Sequence, residues 1–304
     1  MKKIFYFTSI FLSLIFSYTY EAESKSLKIV TTTTTYADLV TEIGKEHVDV
    51  QAVASPKFNL HFIQPRPSDV RKVSKADLFV FTGLDIETWV DPLLEAAGRP
   101  ELFRGQDDCL DLSQGITLLD VPKGPLDRSL GDLHVFGNPH CWMSPKNIRI
   151  MAGTIRDKLC EIDPQNETEF RKNADVFLIR LDKKISEWKQ SFALCSGKEI
   201  ISYHKDIEYL TEFLGISVRE YVEPKPGFPL TPKHLVHLEQ YIQAHHIRVI
   251  AKPTFYPQGN AEKMAKKLGI QMVTVCQQVG ELPELKTVFD LLDYNIKTLT
   301  DSLM

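Results

Sequence analysis

The stretch Asn166-Glu-Thr-Glu-Phe-Arg-Lys-Asn-Ala-Asp-Val-Phe-Leu-Ile-Arg-Leu-Asp-Lys-Lys-Ile-Ser-Glu-Trp-Lys-Gln-Ser-Phe192 decides how the chain is organised. Its apolar residues Phe170, Ala174, Phe177, Leu178, Leu181, Ile185, Trp188 and Phe192 recur at intervals of mostly three and four, which puts them on one stripe of a helix. At 1.5 Å per residue that helix would be ~40 Å long, about the width of a domain. Such a helix could pack within one lobe. The stronger expectation is a rigid strut joining two lobes, because few other residues are left to connect what lies on either side.

Working outward, Asp163-Pro164 separates this helix from another that opens at Ser144-Pro145, an N-cap followed by proline at the first helical position, and runs to about Glu161. Before it, strand-like Leu27–Thr33, Val48–Ala54 and Leu78–Phe81 alternate with helical Tyr36–Gly44, a helix capped at Ser68, and Glu87–Ala97. After it, strands at Lys198–Tyr203, Val218–Val222, Ile247–Ala251 and Gln271–Val275 alternate with helices at Ile207–Leu214, Thr231–Ala244 and Ala261–Leu268, and a last helix spans about Leu285–Leu303. This grammar predicts an α/β protein with parallel-rich sheets in two βα lobes, residues 25–165 and 194–304, joined by a linker helix over 166–193.

The chain has 304 residues, 43% of them hydrophobic and 25% charged, which suits two globular domains and excludes wholesale disorder. A net charge of −4 gives no reason to expect nucleic acid as a partner. Lys2-Lys3, the apolar run Ile4–Phe16 and the small residues Ala22 and Ser24 read as a secretory signal peptide over residues 1–24, too short in its apolar core for the ~20 residues of a membrane span. No cysteine lies near the cleavage site to take a lipid anchor. The expected product is an exported, periplasmic, monomeric protein in a compartment that permits disulfides. With five cysteines (Cys109, Cys141, Cys160, Cys195 and Cys276) at least one stays unpaired within the chain, and spacing does not give the pairing.

Three of the nine histidines have unusual settings. His61 lies in a loop stiffened by Pro56, Pro65 and Pro67. His140 precedes the helix opened by Ser144-Pro145, and His204 follows the strand ending at Tyr203. Ligands in open α/β sheets gather at the carboxyl ends of strands, so two histidines from one lobe and one from the other could close a metal site between the lobes. Neutral imidazoles suit Zn²⁺, which in a tetrahedral site needs a fourth ligand. His234 and His237, one helical turn apart, and His245-His246 at a helix end read as surface residues.

With these residues in view the chain resembles the zinc/manganese-binding proteins of bacterial ABC transporters (the ZnuA/TroA-like, cluster A-I family). The resemblance is carried by Ile29-Val-Thr-Thr-Thr33, Tyr36-Ala-Asp-Leu-Val40, the His61 loop ending Gln64-Pro-Arg-Pro-Ser-Asp69, Ala76-Asp-Leu78 and Gly83-Leu84. It continues through Asn138-Pro-His-Cys-Trp-Met-Ser-Pro145, Tyr203-His204 and Glu223-Pro-Lys-Pro-Gly-Phe-Pro229. It implies two lobes joined by one long helix, a metal held between them by His61, His140 and His204, and delivery to a membrane permease. The family's usual fourth ligand, an aspartate after the last strand, is missing from Val275-Cys-Gln-Gln-Val-Gly280. Water ranks first in its place and His134 second, with a Gln277 or Gln278 oxygen and the Cys276 thiolate as further candidates. Asn138 and Gln64 stand where the family carries acids, which removes negative charge near the site.

The resulting expectation is a zinc-capturing solute-binding protein, with Mn²⁺ less favoured because it prefers oxygen, and with affinity falling below about pH 6.5 as imidazoles protonate. No enzymatic step is required. Two other classes remain open: an exported zinc hydrolase using the same three histidines, with Glu223 as its acid, and an adhesin with a structural metal. A hydrolase would need a general acid or base beside the metal, and no His-Glu-x-x-His motif is present.

Overall fold

The computed structural model describes residues 26–124, 134–223, 228, 230–256 and 259–304. The expected signal peptide over residues 1–24 lies outside them, as do Gly131–Leu133 and most of 224–229. Among the described residues no helix is long and apolar enough to cross a membrane.

The first sheet contains β1 (Leu27–Thr31), β2 (Val48–Ala52), β3 (Leu78–Phe81) and β4 (Cys109–Asp111), hydrogen-bonded in the order β2-β1-β3-β4 and parallel throughout. Helices α1 (Thr34–Gly44), α2 (Pro67–Val73) and α3 (Val90–Ala97) connect its strands. The second sheet, β5 (Glu199–Ser202), β6 (Ser217–Tyr221), β7 (Val249–Lys252) and β8 (Gln271–Thr274), has the order β6-β5-β7-β8 and is again all parallel. Its helices are α6 (Glu208–Leu214), α7 (Pro232–His245) and α8 (Gly259–Leu268). The two lobes therefore share one topology, although no repeat is visible in the sequence. In each, the order reverses direction beside the first strand, leaving a crevice at the carboxyl ends of the strands.

Between the sheets run α4 (Pro145–Ile162) and α5 (Glu167–Phe192), and α9 (Val288–Leu303) closes the chain. The buried face of α5 is the stripe Phe170, Ala174, Phe177, Leu181, Trp188 and Phe192. Its first half ties to the first lobe through Asn173, whose amide donates to the Ile43 carbonyl at 3.0 Å. From its middle onward it ties to α9: the Phe177 and Phe289 rings sit 5.1 Å apart, and Lys184 and the Trp188 indole both reach Asp293 at 2.7 Å. The helix is a strut fastened to both lobes, and one hydrophobic core runs from the first sheet through α4 and α5 to α9.

Three local differences from the sequence reading have simple causes. Strand β4 was not anticipated, because three residues within the polar run Gln106–Gln114 carry no alternation to read. Helix α2 starts at Pro67 instead of being capped by Ser68: Pro67 supplies the first helical φ, and the Asp69 carboxylate accepts the Arg66 backbone N–H at 2.9 Å. Helix α3 begins at Val90, because Glu87 turns inward and accepts hydrogen bonds from the backbone and hydroxyl of Thr82 at 2.9 and 2.8 Å.

Candidate metal centre between the lobes

Every side chain of the candidate site comes from a loop beyond the carboxyl end of a strand. His61 follows β2, in a short helical turn at Leu60–Phe62. The Asn59 side chain accepts the His61 backbone N–H at 3.0 Å, and the Trp89 indole donates to the Leu60 carbonyl at 2.9 Å, so the turn is held from both sides. His140 ends the long connection after β4. Gly137 turns that loop at φ +117°, where a Cβ would meet the Leu119 carbonyl at 2.9 Å, so glycine is required there. Tyr209 then fixes the loop from the other lobe: its hydroxyl donates to the Asn138 carbonyl at 2.8 Å and accepts the Leu119 N–H at 3.1 Å. His204 follows β5, and Glu223 follows the neighbouring strand β6, where its N–H donates to the Tyr203 carbonyl at 2.9 Å. Adjacent parallel strands thus deliver His204 and Glu223 side by side.

The structure brings His61, His140 and His204 together, with one ligand-capable atom of each lying within 4.8 Å of the others. The Nε2 atoms of His61 and His140 are 3.4 Å apart, about the separation of two nitrogens bound ~2.0–2.1 Å from one tetrahedral centre. The far ring nitrogens are engaged elsewhere. His204 Nδ1 is 2.6 Å from Glu223 Oε2, and His140 Nδ1 is 3.0 Å from the Asn138 amide oxygen, which also accepts the His140 backbone N–H. A carboxylate or carbonyl oxygen can only accept, so each Nδ1 carries a proton and the neutral form of each ring presents its Nε2 lone pair. The buried Nε2 of His204 has no hydrogen-bond partner. This arrangement, with imidazole tautomers fixed by oxygen acceptors behind them, is how proteins orient metal-binding histidines.

Burial and the neighbouring imidazoles hold His61 and His140 well below the ordinary imidazole range, which keeps them neutral. Burial also works against the charged form of His204, but the Glu223 hydrogen bond and the carboxylates of Asp206, Glu223 and Glu208 outweigh it and raise its pKa. Asp206 is buried on the cavity wall, and burial pushes its carboxyl up to about 8. The sequence reading did not select Asp206. Its place two residues after His204 was the available signal.

The other candidates fall in different places. Gln277 and Gln278 line the cavity. The Gln278 side-chain oxygen accepts from the Thr35 hydroxyl at 2.7 Å, and the Gln277 carbonyl accepts from the Trp142 indole at 2.7 Å. The unpartnered buried atoms of both side chains are amide nitrogens, which have no lone pair for a metal. Cys276 is not at the site. Its thiol is in the hydrophobic core, raised by burial, while its backbone pairs with the Asn295 amide at 2.8 and 2.7 Å. All five cysteines are free and buried. His134 stands beside His61, with ring centroids 5.0 Å apart. His234 and His237 stack on α7, with His237 3.1 Å from Glu220 and His234 2.8 Å from the Tyr221 carbonyl, and neither lines the cavity.

The sequence matches the family described as zinc-uptake complex component A, periplasmic (ZnuA), over residues 29–302. The chain belongs to this family. It is 24% identical over 285 residues to the iron-binding protein YfeA of Yersinia pestis, covering 91% of this chain and 86% of that one. It is 23% identical to the high-affinity zinc uptake system protein ZnuA of Bacillus subtilis, covering 93% and 90%. A crystal structure of a ZnuA superposes with a TM-score of 0.77 at 20% identity, over 92% of this chain and all of that one, which establishes the shared fold.

Proposed function

We propose that this protein is an extracytoplasmic solute-binding protein that captures a divalent metal, zinc ahead of manganese, at His61, His140 and His204 and delivers it to the permease of an ABC importer. The observation that carries this reading is the convergence of three imidazoles whose ligand atoms lie within 4.8 Å, two of them at the spacing of a shared tetrahedral centre. The cavity they line has a volume of about 10 Å³, room for a single water-sized guest. That favours an ion as cargo over an organic substrate awaiting hydrolysis. Glu223, the acid a hydrolase would need, is already committed to the His204 ring at 2.6 Å.

Metal choice follows from donor chemistry. Nitrogen donors suit zinc, whereas manganese prefers carboxylate and water oxygens. The relatives described above are named for iron in one case and zinc in another, so the choice rests on this chain's own residues. The test is a Zn²⁺/Mn²⁺ competition titration on metal-stripped protein beside His204→Ala. Strong zinc preference that collapses in the variant is expected. Binding indifferent to His204 would overturn the assignment.

A further inference from the structure

We infer that His134 is the fourth ligand and that the loaded site is all-imidazole. The inference rests on reading the three-histidine cluster as the metal site. His134 Nδ1 is 2.7 Å from Asp85 Oδ1, and the other oxygen of Asp85 accepts the Val135 backbone N–H at 2.7 Å, so one carboxylate fixes both the ring and the backbone beside it. Because the carboxylate only accepts, the neutral ring carries its proton on Nδ1 and presents the Nε2 lone pair. That Nε2 is buried and has no hydrogen-bond partner. Leaving a buried polar atom unpaired is unfavourable, and among the described histidines His134 shares this condition only with His204.

Geometry gives the same answer. Four imidazoles bound through nitrogens ~2.1 Å from a tetrahedral centre place their ring centroids roughly 5 Å apart. The His134 ring is 5.0 Å from His61 and 6.0 Å from His140, while the remaining measured pairs stand at 5.4, 5.6 and 5.8 Å. His134 is outside the group of atoms within 4.8 Å, so loading draws its ring inward toward the other three. Of the glutamines after β8, Gln278 has its side-chain oxygen held by the Thr35 hydroxyl, both present unpartnered amide nitrogens that have no lone pair for a metal, and Cys276 faces the core. The positive charge of the metal is then met one layer out, by Asp85 behind His134 and Glu223 behind His204. A site of four neutral nitrogens with its carboxylates held back selects for a tetrahedral, nitrogen-preferring ion and against Mn²⁺.

X-ray absorption spectroscopy of the zinc-loaded full chain tests this without any variant. Four imidazole nitrogens are expected in the wild type, and three with one oxygen in His134→Ala. The variant should bind zinc at least ~10-fold more weakly, and Asp85→Asn should weaken it while keeping four nitrogens. Three imidazoles and an oxygen in the wild type would overturn the assignment of His134. Unchanged affinity and spectrum in His134→Ala would do the same. Either result leaves the proposed function standing if His61→Ala and His204→Ala lose zinc. If those variants also bind normally, the site reading itself fails.

Discussion

Trp142 and Gln277 are 135 residues apart in the chain, yet the Trp142 indole N–H donates to the Gln277 carbonyl at 2.7 Å across the lobe interface. The Trp142 ring is also 5.5 Å from His140, so one residue links a cavity-lining imidazole of the first lobe to the loop after β8 in the second. Thr34 and Thr35 add further bonds to the same loop, donating to the Val279 carbonyl at 2.6 Å and the Gln278 side chain at 2.7 Å. The lobes are closed on each other by directed hydrogen bonds as well as by the strut.

Trp142→Phe should keep most of the packing but leave the buried Gln277 carbonyl unpaired, at a cost of about 1–3 kcal/mol. Urea unfolding of the metal-free protein measures this as a lower midpoint with an unchanged slope. A variant as stable as the wild type would mean that water replaces the indole and that the interface is looser than described.

Glu223 fixes the tautomer of His204 and brings negative charge beside the proposed metal site. Glu223→Gln should therefore weaken zinc binding by about 10–100-fold, the usual effect of losing a carboxylate behind a ligating histidine. Glu220, on β6 just before Glu223 but paired with His237, is the control, and Glu220→Gln should bind as the wild type does. Equal affinity in both variants, measured by chelator competition, would remove Glu223 from the site.

Much of this architecture was legible in the sequence for physical reasons. The strut announced itself because a long amphipathic stripe has one buried face wherever it packs, and helices α4 and α7 were marked by a cap residue followed by proline. His61, His140 and His204 could be picked out because each interrupts a strand-to-helix connection. What the sequence did not show depends on distant chain segments meeting. Asp85 and His134 are 49 residues apart and Glu223 and His204 are 19 apart, and only sheet order and loop path bring each carboxylate behind its ring. Cys276 could be set apart from Gln277 only once the fold placed one in the core and the other at the cavity.

Asp293 joins the strut to the last helix through two partners of unequal value. Its pairing with Lys184 is partly exposed and should contribute at most ~1 kcal/mol. Trp188 is 4% exposed, and its indole N–H has Asp293 as its acceptor at 2.7 Å. Lys184→Ala should therefore change stability little, while Asp293→Ala should cost about 1–3 kcal/mol through the stranded indole. The strut also predicts that zinc loading leaves the radius of gyration in X-ray scattering nearly unchanged. A large contraction would mean that α5 hinges.

Glu87 makes the metal-free protein's stability depend on pH. It is fully buried in the first lobe, and burial pushes its carboxyl up to about 7, against hydrogen bonds from Thr82 and the positive charge of Arg104 that pull it down. The folded state therefore holds a proton that the unfolded chain releases near its ordinary value, so stability is fully present below that value and is lost as pH rises through about 7. The shift corresponds to a loss of roughly 3 kcal/mol. Asp38, raised by burial to about 6, and Asp206, raised to about 8, slope the same way, so the informative quantity is the difference between wild type and Glu87→Gln. That variant cannot ionise, and it should gain on the wild type between pH 5 and pH 8 in chemical denaturation with chelator present. Parallel stability curves over that range would mean that Glu87 is ionised in the fold and that Arg104 and the Thr82 donors outweigh its burial.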